Sequence, residues 1–315
     1  MTVGPFMSEE NHIFRSAINP DKSWLILLLF LNGIIYGMHF VANKWAVDSG
    51  IPVFAYIFWY SFIAGVILLL LCICLREFPK LSPKSLFVFA VMGTTGIAAP
   101  LALLTWTASK LPAGVIGLVV VMSPVFTYIF STVLKIEKFA WLRVLGILIG
   151  FGSVLLVYLP DASLPDPSMA SWLLIALIAP ICFAATNVFA AIIRPPKVSS
   201  LALSAGILLG GSLVMLPIML ISGEYWIPPA DMMLGNYALI TAILINLAIW
   251  WMFLEIVRNA GPVFFTPSNY VIVLSSIGWG VVIFGEKPSI FIWGAVIMMF
   301  AGVFLVNYGQ IKKKS

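Results

Sequence analysis

Charge is what this chain has least of. Asp, Glu, Lys and Arg make up 9% of its 315 residues, where a soluble domain carries about 25%. Histidine occurs twice, as His12 and His39, and cysteine three times, as Cys72, Cys74 and Cys182. Two histidines alone build no metal site, and cysteines confined to apolar runs make no disulfide framework. Paired carboxylates, a His-Glu-x-x-His helix, a Gly-rich phosphate loop and a Ser/His/Asp set are missing as well. The expectation is therefore a protein that is not an enzyme and uses neither metal nor cofactor. What the chain has in excess is apolar side chains, at 62% of residues and a mean hydropathy of +1.10. That composition belongs to an all-α integral membrane protein, since about 20 apolar residues in a helix cross the hydrocarbon core.

Ten candidate spans separate at their breakers: about 24–43, 52–75, 85–107, 110–134, 139–158, 170–193, 198–221, 235–257, 262–284 and 289–309. The segments between them hold most of the charges and turn formers, and none has room for a soluble domain. With the N-terminus inside, 14 of the 17 Lys and Arg fall on the inner face, and Lys44, Lys110 and Lys287 are the 3 outside. The positive-inside rule then places both termini in the cytoplasm, and the expected setting is the plasma (inner) membrane, as a multi-pass chain. The net charge of +5 belongs to these loops and tails and calls for no nucleic acid. The first apolar run lacks a small-residue cleavage site, so it reads as an anchor that is retained. The basic tail Lys312 to Lys314 follows the same charge rule.

Shifting the chain by 149 residues lays Val133 on Val282, Glu137 on Glu286, Lys138 on Lys287, Phe151 on Phe300, Val154 on Val303, Leu156 on Leu305 and Val157 on Val306. Hydrophobicity alone does not explain the repeated Glu-Lys pair. Two five-helix repeats follow, one over 24–158 and one over 170–309, joined by an outer (periplasmic or extracellular) linker at 159–169 and flanked by tails at 1–23 and 310–315. An odd number of spans in each repeat turns the second upside down relative to the first, and inverted repeats of this kind hold substrate near the bilayer midplane.

The opening Tyr36-Gly37-Met38-His39-Phe40-Val41-Ala42 resembles the start of EamA-type members of the drug/metabolite transporter superfamily. The stretch Leu111-Pro112-Ala113-Gly114 through Ser123-Pro124 to Glu137, with Gly146 and the 151–157 run, is similar to the end of that family's repeat. Asn259-Ala260-Gly261 through Gly285-Glu286-Lys287 to Gly302-Val303 is similar to the second copy. Two positions depart from the pattern: Val273 stands where a proline matching Pro124 is usual, and His39 where a small polar residue is common. The resemblance implies a membrane transporter and, by itself, export. It also puts Pro124 and Pro267 in helices that face the cavity.

In lipid, polar side chains need partners inside the protein or in a water-filled cavity. Span one carries Asn32, Tyr36, His39 and Asn43 at i, i+4, i+7 and i+11, all within about 60° of one another. Weaker polar faces carry Thr94 on span three, Asn187 on span six, Asn246 and Trp250 on span eight, and Asn269 on span nine, with the rings of Trp106 and Tyr270 beside them. Each of these eleven has two uses that the sequence leaves open, lining a substrate cavity or bonding to a neighbouring helix. His39 is the one titratable group deep in a span, which makes it the candidate for proton coupling, a neutral hydrogen-bonding role being the alternative. Ala113, Gly114 and Gly117, and Gly206, Gly210 and Gly211, suit close helix packing.

No Lys or Arg stands at membrane depth to meet a phosphorylated substrate. Span one also lacks the glutamate on which the small multidrug exporters of the same superfamily depend, which disfavours a strongly cationic drug. The expected function is secondary transport, in the export direction, of a small neutral or zwitterionic metabolite such as an amino acid or aromatic compound. A non-transporting receptor or scaffold, or an importer or facilitator of the same substrates, is the alternative. The expected partners are that small molecule, the lipid bilayer and protons; oligomeric state has no signature in the sequence.

Overall fold

The computed structural model describes residues 22–77, 81–108, 119–120, 122–158, 170–195, 198–228, 234–285 and most of 293–305. Among them every regular element is helical. Helix α1 is Lys22–Asp48, α2 is Val53–Cys74, and α3 runs through Pro83–Gly93, a π turn at Thr94–Ala98 and Ala99–Ala108. Helix α4 is Ser123–Val133 and α5 is Trp141–Tyr158; α6 comprises Ala170–Ala176 and Ile178–Ile192. Then come α7, Ser200–Ser222, α8, Leu234–Ala260, and α9, made of Pro262–Phe265 and Ser268–Phe284. Seven helices among the described residues are long and apolar enough to cross a membrane, those of α1, α2, α3, α6, α7, α8 and α9. The expected spans at 110–134 and 289–309 lie partly outside the described residues, and α5 contributes a shorter apolar helix, Trp141–Ser153.

Local chemistry sets the ends of these helices. Ser82 and Ser199 accept bonds from the backbone N–H groups of Ser85 and Ala202 at the starts of α3 and α7. Gly223 (φ +71°) and Gly285 (φ +66°) close α7 and α9 in the left-handed conformation. The prolines mark breaks: Pro124 enters at the start of α4, and Pro267 sits at the break that divides α9. The π turn in α3 has the same origin. Pro100 has no N–H, and its ring would press on the Gly96 carbonyl four residues back, so the helix widens just before it, with Ala99 N–H bonding to Thr94 O.

The packing joins the two stretches of chain more than it joins helices within either. Helix α1 lies along α8 and α9, while α6 lies along α3 and α4; α2 runs beside α7 and α8, while α7 runs beside α2 and α3. Exchanging α1 with α6, α2 with α7, α3 with α8 and α4 with α9 turns one set of contacts into the other. The α3–α7 seam is close because glycines line it: a Cβ at Gly93 would stand 2.8 Å from Ile207 O, and one at Gly210 would stand 2.8 Å from the Phe89 carbonyl carbon. The glycines of span seven thus serve the packing expected of them.

Candidate functional site at the helix midpoints

Polar groups of α1 and α8 pair with one another, as do those of α3 and α6, in each case away from the helix ends. On α1, His39 is buried, and its Nε2 lies 3.1 Å from Asn246 Nδ2 on α8. The same Nδ2 donates to Ala242 O at 2.8 Å. That second bond fixes the amide, since a flip would set Oδ1 against the Ala242 carbonyl. Nδ2 therefore donates to His39 as well, and Nε2 is the bare nitrogen of the imidazole. The ring is held edge-on by Tyr36 at 5.7 Å and Tyr60 at 5.3 Å, and Tyr60 in turn packs on Tyr56 at 5.2 Å.

A second bridge joins the other pair of helices, α3 and α6. Thr95 Oγ1 in the π turn and Thr186 Oγ1 on α6 are 2.7 Å apart, each also within bonding distance of its own helix, at Val91 O and Cys182 O. Trp250, one turn along α8 from Asn246, lies buried beside Gly96 and Thr186. The two bridges correspond under the exchange noted above: each ties the first helix of one stretch to the third helix of the other. No Lys, Arg, Asp or Glu is among the residues of this junction.

The remaining candidates are placed as follows. Asn32 clamps three helices, donating to Ile249 O at 2.9 Å and accepting from Ser268 Oγ at 3.0 Å. Asn187 donates to Thr127 Oγ1 at 3.1 Å and so links α6 to α4. Thr94 bonds back to Ala90 O on its own helix. Asn43 is exposed and hydrogen-bonds to the His39 side chain one turn before it, and Asn269 is half-buried near the start of the longer part of α9. Trp106 is exposed, packs edge-on against Trp172 at 5.3 Å, and borders an apolar groove with Phe54, Ala99, Ala102 and Leu103. Tyr270 is buried and lies over Gly150 of α5. The structure thus brings Tyr36, His39, Asn43, Asn246 and Trp250 together and holds the other six elsewhere.

Three members of the junction escape a reading by helix faces. Tyr60 sits in a span that is apolar almost throughout. Thr95 and Thr186 adjoin named candidates, and the π turn rotates the α3 face in a way that uniform helical spacing does not follow. Pro100, four residues after Gly96, is the signal that marks it.

Charges stay at the ends. Arg143, 3% exposed, pairs with Glu137 at 2.8 Å where α4 passes into α5. Glu255 and Arg258 approach to 3.7 Å, as their i, i+3 spacing suggests, and Glu255 also accepts from Ser200 Oγ and Asn259 Nδ2. Arg194 binds Leu254 O, Val198 O and Ser200 Oγ, tying the α6–α7 connection to α8. Burial, with Arg258 adding to it and Glu255 opposing it, lowers that guanidinium to about 10.

The model of the EamA-like transporter family matches residues 23–159 and again residues 170–308. The chain belongs to the EamA-like transporter family. It is a multi-pass membrane protein built from two copies of that family's repeat. A crystal structure superposes on it with a TM-score of 0.78 at 17% identity, covering 93% of this chain and 99% of the other, which speaks to the fold alone. No curated protein matches the sequence.

Proposed function

We propose that the chain is a ten-span secondary transporter whose two repeats are inverted and rock about the junction of His39, Asn246, Thr95, Thr186 and Trp250. The observation that carries this reading is the pair of equivalent bridges, each joining one repeat to the other at mid-helix. Bonds at that level are where two halves of an alternating-access carrier must part and re-form. The junction offers amide, hydroxyl, imidazole and aromatic groups without fixed charge, which suits a small neutral or zwitterionic metabolite, an amino acid or an aromatic compound. We take export as its direction and the plasma (inner) membrane, with both termini cytoplasmic, as its setting, the latter on the distribution of Lys and Arg. The chain acts as no enzyme in this reading.

His39 is the proposed proton site. A proton arriving at Nε2 sets one N–H against another and undoes the α1–α8 bridge, which gives coupling a mechanical outlet. Radiolabel counterflow in proteoliposomes, over neutral, aromatic, cationic and anionic metabolites and with an imposed pH gradient, tests both parts. Saturable counterflow of a neutral or aromatic compound is expected, accelerated by the gradient in the wild type and indifferent to it in His39→Gln. Binding without flux from folded protein overturns the transport reading in favour of a receptor. Flux that ignores the gradient removes His39 from coupling.

A further inference from the structure

The π turn does more than present Thr95. Gly96, its third residue, lies under the indole of Trp250: a Cβ there would stand 2.7 Å from Trp250 Cη2 and 3.1 Å from Thr186 Cγ2. Carbon atoms in ordinary contact are about 3.5–4.0 Å apart. The indole therefore rests on bare backbone, in space that only glycine leaves. Beyond the indole, Phe253 meets it edge-on at 5.7 Å, and one turn back along α8 Asn246 holds His39. Trp250 is thus the large apolar group between two polar bridges, and π turns gather at functional sites.

We propose that Gly96 is a specificity-determining residue: by seating Trp250 against the π turn, it sets the size of the apolar group that the junction accepts. This rests on the transport reading above. An alanine at 96 displaces the indole by about 1 Å, the difference between the built contact and an ordinary one. The α3 backbone is pinned by Pro100 and by the Thr95–Thr186 bond, so the displacement goes to the side chain and narrows the junction. Removing bulk from Trp250 has the opposite effect.

The experiment pairs a spectrum with a size series. In protein grown with 5-fluorotryptophan, the fluorine resonance of Trp250 is assigned by its loss in Trp250→Phe. It is expected to move in Gly96→Ala and to stay in Gly278→Ala, whose added methyl meets nothing within 4 Å. Counterflow of L-alanine, L-leucine, L-phenylalanine and L-tryptophan then reads the junction. Gly96→Ala lowers the tryptophan-to-alanine ratio about tenfold, the scale on which one methylene group discriminates substrates. Trp250→Phe alone raises the ratio, and Gly96→Ala with Trp250→Phe restores it. Should Gly96→Ala fail to fold, the rise in Trp250→Phe decides. An unmoved resonance overturns the seat, and a moved resonance with an unchanged ratio overturns the role in specificity. If folded wild type carries none of the series, the size role falls, while the wider metabolite panel decides the transport reading and the resonance decides whether Gly96 seats the indole.

Discussion

Breaking the His39–Asn246 bond has a consequence that can be read without any substrate. The bond joins α1 to α8 at 3.1 Å between side chains 6% and 4% exposed. Hydrogen bonds between helices in a bilayer contribute about 0.6 kcal/mol on average and up to about 1.7. This one belongs in the upper part of that range, since both groups are buried. The test is a double-mutant cycle in which His39→Phe keeps a ring for Tyr36 and Tyr60 to pack on, and Asn246→Leu keeps the volume. Reversible unfolding in mixed micelles by a denaturing detergent should give a coupling of about 1 to 1.7 kcal/mol, about 5- to 16-fold in the folding equilibrium. Strict additivity of the two changes would refute the bond. Nitrogen-15 spectra of histidine-labelled protein add an independent check, because His12 is the chain's other histidine and His12→Gln removes it. Nε2 of His39 should be the unprotonated nitrogen. A proton there would put Asn246 Oδ1 between the imidazole and the Ala242 carbonyl, against the geometry argued above.

Two stability predictions follow from groups outside the junction. Glu137→Gln strips the counter-charge from Arg143, which is 3% exposed while Glu137 is 18% exposed; breaking a fully buried pair costs about 3–5 kcal/mol, and the exposure of Glu137 brings the expected loss to about 2–3. The same detergent titration measures it, and Glu137→Gln with Arg143→Met should recover part of the loss, because the stranded charge is gone. Gly210→Ala forces α3 from α7, since its Cβ would lie 2.8 Å from one backbone atom of α3 and 3.3 Å from another. A loss of about 1–3 kcal/mol is expected, while Gly278→Ala holds or gains stability from the better helix former; equal behaviour of the two would contradict the seam.

Much of the fold is legible in the sequence. Apolar runs set the helices and the repeated Glu-Lys pair foretells a second copy, because hydrophobic length and turn chemistry are local properties of the chain. The candidate site is legible only in part. Asn32, Tyr36, His39 and Asn43 share one stripe of α1, yet Asn32 clamps α8 and α9, His39 joins the junction, and Asn43 is exposed and bonded to His39 on its own helix. Helical spacing fixes the direction in which each side chain leaves α1 but not what stands opposite it at that height. Glu137 reads as the start of a helix, and its partner Arg143 emerges only once the two are folded together.

By itself, then, the sequence determined a membrane-embedded chain of helices in two related copies, because burying about 20 residues in hydrocarbon demands apolar side chains in an unbroken run. It also marked Tyr36, His39, Asn246 and Trp250 among its candidates, but not Tyr60, Thr95 or Thr186, which the junction also holds. Tertiary structure alone decided which of them meet. The His39–Asn246 bond spans 207 residues, the Thr95–Thr186 bond spans 91, and the seat of Trp250 on Gly96 depends on a single turn of π-helix that no uniform periodicity contains. Contacts of that kind come from which helix packs beside which, and at what height, and that is set by the fit of whole surfaces rather than by any one stretch of chain.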